Sequence, residues 1–277
     1  MAELIQITDQ SLGLFEPLFD EASQRTFLTD PDILAVGAVD QKEASGLMLL
    51  KVQTFSMTMT RLIVTPGHRR RGIGRELLVF AKDLARRNDR ILFAPFYAES
   101  EEDELYLLFR TDPALSLEET GEGVYRAPIS ALSKILERLP EKDGNYQVEP
   151  LSALSEGEMN AMMIRCKEEG ADYFDPYDRD YLAPLCLCAR KNKAVEALLL
   201  TKRGNVEDEL LLACVYSRSP MALADVLKKA ISVALTLPEE IRYFRFASLD
   251  EKAKKIADKL LPAAEKVGST YMAMLDR

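Results

Sequence analysis

The sequence predicts an α/β fold, an α+β mixed sheet with packed helices, built as two similar units in tandem. Three observations predict it. Apolar residues in the first half switch between period 2 and helical spacing in the order strand, helix, three strands, helix, strand, helix. The second half follows the same order, although residue identity between the halves is low. Between them Leu139-Pro-Glu-Lys-Asp-Gly-Asn145 combines helix breakers, charge and turn formers. Domains are therefore expected at 1–140 and 146–277.

Residues 2–7 read as a strand. Residues 11–26 read as a helix with Leu12, Leu14, Phe15, Leu18 and Phe19 on one side. Strands at Ile33–Val39 and Gly46–Val52 flank a polar turn at Asp40-Gln-Lys-Glu43, and a third runs from about Thr54 to Val64. Ile73, Leu77, Leu78, Phe80, Ala81 and Leu84 mark a helix over 72–88, whose terminal Arg86-Arg87 suits the negative end of the helix dipole. Ile91–Tyr97 reads as a buried strand, Glu101–Arg110 as a short helix, the residues around Thr120-Gly-Glu-Gly123 as a hairpin, and 130–138 as helical. In the second half, a strand at Tyr146–Val148 precedes a helix at 155–169. Strands follow at about 182–189, 194–201 and 208–217, then a helix carrying Leu223, Val226, Leu227, Ala230 and Ile231. A strand at Ile241–Ala247 and a last helix through Ala253, Ile256, Ala257, Leu260 and Leu261 complete the pattern.

Composition narrows the class. With 47% hydrophobic and 29% charged residues the chain reads as a soluble globular protein, and its net charge of −9 argues against nucleic acid or an anionic membrane as partner. No apolar run approaches membrane-spanning length. Met1-Ala-Glu-Leu-Ile5 lacks the basic-then-apolar pattern of a signal peptide. The four cysteines, Cys166, Cys186, Cys188 and Cys214, read as small buried apolar residues in a reducing compartment. Cys186 and Cys188 share one strand face without metal spacing, and His68 is the one histidine, so no metal site is expected. A cytoplasmic location follows.

The chemistry concentrates at Arg61-Leu-Ile-Val-Thr-Pro-Gly-His-Arg-Arg-Arg-Gly-Ile-Gly-Arg-Glu-Leu-Leu78. A strand ends at Val64, a loop with three arginines follows, and Gly72 and Gly74 open an amphipathic helix. Free N–H groups at a helix start, glycines that admit a close ligand and nearby guanidinium groups make an anion site suited to a pyrophosphate. A phosphate-binding P-loop would need Gly-Lys-Ser/Thr, whereas Arg75-Glu76 follows Gly74. A dinucleotide fingerprint would need a third glycine where Leu77 stands, and glycines directly after the strand.

Arg69-Arg-Arg-Gly72-Ile-Gly74 fits the remaining pattern, Arg/Gln-x-x-Gly-x-Gly/Ala between a strand and a helix. It resembles the acyl-CoA-binding motif of the GNAT N-acetyltransferase superfamily, over residues 1 to about 130. The resemblance implies acetyl-CoA as acyl donor, cradled by Arg69, Arg70, Arg71, Gly72, Ile73, Gly74 and Arg75. It also implies a preceding strand that splays from its neighbour, so that backbone groups of Leu62, Ile63 and Val64 bond the pantetheine arm and polarise the thioester carbonyl. Leu105-Tyr106 matches the family's leucine–tyrosine pair without its Gly-Phe, which makes Tyr106 the candidate general acid for the departing thiolate. The glutamate base that some members carry in the preceding strand has no counterpart in Ile91–Tyr97. Glu99 stands where the family often has asparagine, either as a base acting through water or as a solvated or capping carboxylate.

The corresponding second-half junction, Ala213-Cys-Val-Tyr-Ser-Arg-Ser-Pro-Met221, has no glycines, and Ser219-Pro220 reads as an N-cap followed by the first helical residue. It implies a degenerate copy and one acyl-CoA site per chain. The acidic and aromatic segment Lys167–Tyr181 is a candidate wall for a cationic acceptor, or else an exposed loop anchored by its aromatics. The expected activity is direct acetyl transfer to an amine of a small molecule. The alternatives are a non-catalytic acyl-CoA-binding or interaction protein, and a structural protein without a CoA site.

Overall fold

Pro17 divides the first expected helix. In the structure, a computed structural model that describes residues 2–141, 144–169, 181–204, 208–238, 240–248, 261 and 263–275, β1 (Glu3–Gln6) leads into α1 (Leu12–Phe15). A 3-10 turn at Glu16–Leu18 and an extended Phe19 then separate α1 from α2 (Glu21–Thr29). Proline lacks the N–H a continuous helix would need, and the Asp20 carboxylate caps the new helix by accepting from the Ser23 N–H at 2.7 Å.

Strands β2 (Ile33–Asp40), β3 (Glu43–Val52) and β4 (Ser56–Val64) form an antiparallel meander. Gln41 and Lys42 both have positive φ at the β2–β3 turn, the geometry that matches strand twist in a two-residue hairpin. β2 and β3 are apolar on both faces because helices cover both. Ala35, Leu47 and Leu49 pack with Phe15 and Leu18 on one side, while Val36, Met48 and Leu50 pack with α3 (Ile73–Arg87) on the other. A β-carbon on Gly46 would lie 3.0 Å from Ile73 Cγ2 and 3.2 Å from Leu77 Cδ1, so this glycine lets the start of α3 sit against the sheet.

β5 (Ile91–Ala98) and α4 (Glu104–Arg110) follow, and then β6 (Ser116–Pro128), one strand where a hairpin was expected. Gly121 does take φ +83°, but ladder partners on either side of it keep the chain extended. The strand beside β5 in the first unit is the last of the chain. β12 (Glu265–Leu275) pairs antiparallel with β5 from Ser269↔Ala98 to Leu275↔Leu92, and Ser116 Oγ donates to Met274 O at 3.3 Å from its other side. Local periodicity did not announce β12.

The compact units consequently differ from the expected boundaries at 1–140 and 146–277. The first comprises Met1–Gly121 with Gly268–Arg277, and the second Glu122–Val267. Pairing with β5 draws the C-terminal strand into the first unit, while the later part of β6 pairs with a strand of the second.

In the second unit, α5 (Leu132–Leu136) precedes β7 (Gln147–Pro150) and α6 (Glu156–Glu168), which Ser155 and Glu158 open with a capping box. β8 (Leu187–Lys191), β9 (Ala194–Arg203) and β10 (Glu209–Ser217) form another meander, again with a two-residue turn of positive φ at Asn192-Lys193. α7 (Pro220–Ala234) and β11 (Tyr243–Ser248) complete its described elements. The helix expected through Ala253–Leu260 lies outside the described residues. Burial pushes the thiols of Cys166, Cys188 and Cys214 up to about 11, about 12 and about 12, and with Cys186 they are buried and outside any disulfide.

Candidate functional site

β4 and β5 run parallel but pair over only Ser56↔Ile91, Met57↔Leu92 and Thr58↔Phe93, although both strands continue. A register shift against β3 places an extra residue, Thr60, just beyond the last pair. On the other edge of β4 the Thr65 N–H donates to Ser45 O at 3.0 Å. Backbone direction alternates along a strand, so Ile63 also turns its polar groups towards β3, opposite Leu47, while Leu62 and Val64 turn theirs towards the gap. Arg69 Nε donates to Val64 O at 3.2 Å from that side. Of the expected trio, Leu62 and Val64 face the opening, and Ile63 is held in the ladder.

The loop from Thr65 to Gly72 then bends under backbone constraint. Arg70 takes φ +61° and Gly72 φ +88°, and the space where a Gly72 β-carbon would stand is open. Among the described residues the backbone N–H groups of Arg70, Arg71, Gly72, Ile73, Gly74 and Arg75 have no protein acceptor, and the last three lie in the first turn of α3. Consecutive amides without partners at the positive end of a helix form an anion cradle.

Side chains brace this loop. Arg71 Nη1 lies 3.5 Å and His68 Nε2 3.8 Å from Asp40 Oδ2, and His68 Nδ1 is 2.8 Å from Thr65 Oγ1, so His68 ties the loop to the β2–β3 turn. Arg69 Nη1 lies 3.4 Å from Glu104 Oε2, and a β-carbon on Gly74 would sit 3.6 Å from Leu108 Cδ2 and 3.7 Å from Val64 Cγ2. The end of β4, the start of α3 and the helix of Tyr106 therefore meet at one place. Tyr106 is half-buried on α4, which Asp103 caps by accepting from the Leu105 N–H at 2.9 Å. Glu99 is exposed just past β5 and accepts from Tyr97 Oη at 3.4 Å.

Beside the cradle, between α3 and α4, lies a cavity of about 360 Å³ lined by Arg75, Leu78, Lys82, Arg86, Thr111 and Asp112 among others. Burial pushes the Asp112 carboxyl up, but hydrogen bonds from Lys82 and the Ala114 N–H and the charges of Lys82 and Arg75 outweigh it and hold Asp112 below the usual range. Three residues before the end of β4, Arg61 pairs with Asp20 and donates to Leu18 O at 3.1 Å, fixing the turn before α2. The candidate acceptor wall at Lys167–Tyr181, with Asp175 and Asp178, falls largely on residues outside those described.

Residues 2–106 match the family model for the acetyltransferase (GNAT) family. Over its whole length the chain resembles a tandem GNAT protein from the clavulanic acid biosynthesis pathway, at 15% identity and TM-score 0.63, covering 99% of this chain and 98% of the other. The fold is a tandem GNAT fold. Other solved structures share it. A probable N-acyltransferase from Enterococcus faecalis matches at 10% identity and TM-score 0.58, over 99% of this chain and 72% of its own. A protein of unknown function from Bacteroides thetaiotaomicron matches at 12% identity and TM-score 0.56, over all of both chains. No curated protein sequence matches the chain.

Within this tandem GNAT fold two site contributors were not legible in advance. Glu104 carries no signal beyond its place in the first turn of α4, and Tyr271, on β12, approaches Tyr106 only because the chain returns to β5.

Proposed function

We propose that the first unit is an acetyl-CoA-dependent N-acetyltransferase that passes the acetyl group directly to an amine of a small molecule. The run of N–H groups from Arg70 to Arg75, without a protein acceptor among the described residues, carries this reading, because it offers donors to a pyrophosphate. Arg69 and Arg71 are braced by Glu104 and Asp40, with Arg75 on the flank where the α3–α4 cavity can take the nucleotide end of the donor. The gap beyond Thr58 and Phe93 suits the extended pantetheine arm, with Leu62 and Val64 supplying its backbone partners and polarising the thioester carbonyl. A neutral amine nitrogen attacks that carbon, the N–C bond forms as the C–S bond breaks, and the Tyr106 hydroxyl gives its proton to the departing sulfur. The proton lost by the amine passes to solvent and restores the phenol.

The two sequence copies, 1–140 and 146–277, are read as one active and one degenerate unit, in a protein of the cytoplasm with one acyl-CoA site per chain. Release of CoA thiol is the decisive assay, with a panel of small amines and with wild type compared against Tyr106→Phe. Amine-dependent release that collapses in the variant supports the reading. Saturable acetyl-CoA binding without release across the panel favours a non-catalytic acyl-CoA-binding protein instead, a reading motivated by the absence of a carboxylate from Ile91–Ala98. If acetyl-CoA fails to raise the melting temperature, both fall. A ligand of the folded state at about 100 times its Kd adds roughly 2.7 kcal/mol.

A further inference from the structure

The hydroxyl of Tyr106 has no hydrogen-bond partner among the described residues, so ring contacts alone orient it. Its helix is short, Glu104–Arg110, and a helix of that length does not hold its shape without packing. The ring that meets Tyr106 belongs to Tyr271, centroid to centroid at 5.1 Å and 72°, an edge-to-face contact. Tyr271 stands directly opposite Phe96 in the β12–β5 ladder and stacks on it at 5.5 Å and 24°. Phe96 in turn packs on Phe109 of α4 at 4.8 Å. The four rings thus connect α4 to the sheet at Tyr106 and, one turn on, at Phe109.

The placement of Tyr271 is itself built. Gly268 passes so close to β5 that a β-carbon would lie 2.4 Å from Tyr97 Cε2 and 2.6 Å from Ala98 O, which sets the depth at which β12 docks. On its other edge Ser269 Oγ donates to Glu119 Oε1 at 2.6 Å and Thr120 Oγ1 donates to Thr270 O at 3.2 Å. These contacts hold Ser269 and Thr270, the two residues before Tyr271, against Glu119 and Thr120.

We propose that Tyr271, supplied by the last strand of the chain, is the positioning residue that sets the orientation of the Tyr106 phenol. This rests on the acyltransferase reading for its consequence, but not for its geometry. Among the described residues the Tyr271 hydroxyl has no hydrogen-bond partner, so the work belongs to its ring, and phenylalanine should replace it where an aliphatic residue cannot.

The test places 3-fluorotyrosine at position 106 of the full chain and follows its 19F signal, alongside steady-state kinetics of the unlabelled variants. In Tyr271→Leu the signal shifts and narrows as the ring is freed, and kcat falls about tenfold or more with the acetyl-CoA KM unchanged. Tyr271→Phe restores both. Should Tyr271→Leu fail to fold, Tyr271→Met is read the same way. An unchanged 19F signal in the aliphatic variant overturns the proposal, and so does a Tyr271→Phe variant as impaired as the leucine one, which would make the hydroxyl the active part. If Tyr106→Phe instead turns over like wild type, the acid role of Tyr106 fails, and the 19F result still decides whether Tyr271 positions it.

Discussion

Two strand–helix junctions in this chain start from the same backbone plan and end with opposite hydrogen-bond accounts. β4 and β10 each pair with their parallel neighbour over three residues, each carry a register shift at the following stretch, and each return an N–H to the preceding hairpin, Thr65 to Ser45 and Arg218 to Glu196. In the first unit β4 ends at Val64 and α3 begins at Ile73, and the amides from Arg70 to Arg75 have no protein acceptor among the described residues. In the second, β10 ends at Ser217 and α7 begins at Pro220. There Ser217 Oγ accepts from the Ser219 N–H, Ser219 Oγ accepts from the Ala222 N–H, and Pro220 has no N–H to offer. The second junction binds most of its own donors, whereas the first leaves six consecutive N–H groups without a protein acceptor among the described residues. Fold survives either arrangement, and the site depends on which one is present.

The sharpest way to break the comparison is to remove a tyrosine from each unit. Tyr106→Phe should lower kcat by about 10²–10⁴-fold with little change in acetyl-CoA affinity, the usual loss on deleting a positioned acid. Tyr216→Phe should leave kcat unchanged, because Tyr216 is bound to Glu169 at 2.9 Å inside the second unit. Equal losses would mean that the second unit takes part in the reaction.

The junctions themselves come next. Gly72→Val forces a branched residue into φ +88° and fills the open cradle, so acetyl-CoA should bind about 10–100-fold more weakly by calorimetry, roughly 1.4–2.7 kcal/mol. Ser219→Ala should cost about 1 kcal/mol in the melting of the second unit, through the lost N-cap, and nothing in acetyl-CoA affinity. A binding defect in Ser219→Ala would remove the distinction drawn here.

This contrast was largely readable from residues. Arg69–Gly74 and Ser219-Pro220 are local signals, in which a left-handed glycine, a cap and a helix-starting proline each act within a few residues of themselves. The strand and helix order was legible for the same reason. What was not legible depended on distant partners. Thr120-Gly-Glu-Gly123 reads as a turn until the ladder with Tyr243–Ser248 extends it, and nothing near Tyr271 says that its strand belongs beside Phe96. Ile63 looked equivalent to Leu62 and Val64 until Thr65–Ser45 fixed which amides face the gap. Pro17 was a local signal outweighed by the apolar spacing around it.

The return of β12 also gives the two units separate stability readouts. Gly268→Val should destabilise the first unit by about 1–3 kcal/mol, since the new side chain has to displace Tyr97 or the β5 backbone. All four cysteines lie in the second unit and are buried, so thiol labelling reports that unit alone. Native-state labelling of Gly268→Val should stay as slow as wild type while circular dichroism shows earlier melting. Faster labelling would mean that the two units unfold as one.

The smallest effect expected is in pH, and Asp20 in the first unit and Tyr216 in the second respond to it in opposite directions. Burial pushes Asp20 up, but hydrogen bonds from Ser23 and the Arg61 charge outweigh it, so Asp20, like Asp112 beside Lys82, titrates below its unfolded value. A depressed carboxylate contributes stability above its unfolded pKa that is lost as pH falls through the folded one, so the first unit should weaken in acid below about pH 4. Tyr216 moves the other way, since burial and then the Glu169 carboxylate push it up to about 12. Its contribution is complete below the unfolded tyrosine value of about 10 and fades as pH rises towards 12. Melting followed from pH 3 to 11 should therefore show Asp20→Asn flattening the acid side and Tyr216→Phe flattening the alkaline side, with thiol labelling accelerated by alkali in wild type and less so in Tyr216→Phe. If Tyr216→Phe changes the acid limb instead, its bond to Glu169 is not what holds that corner of the second unit together.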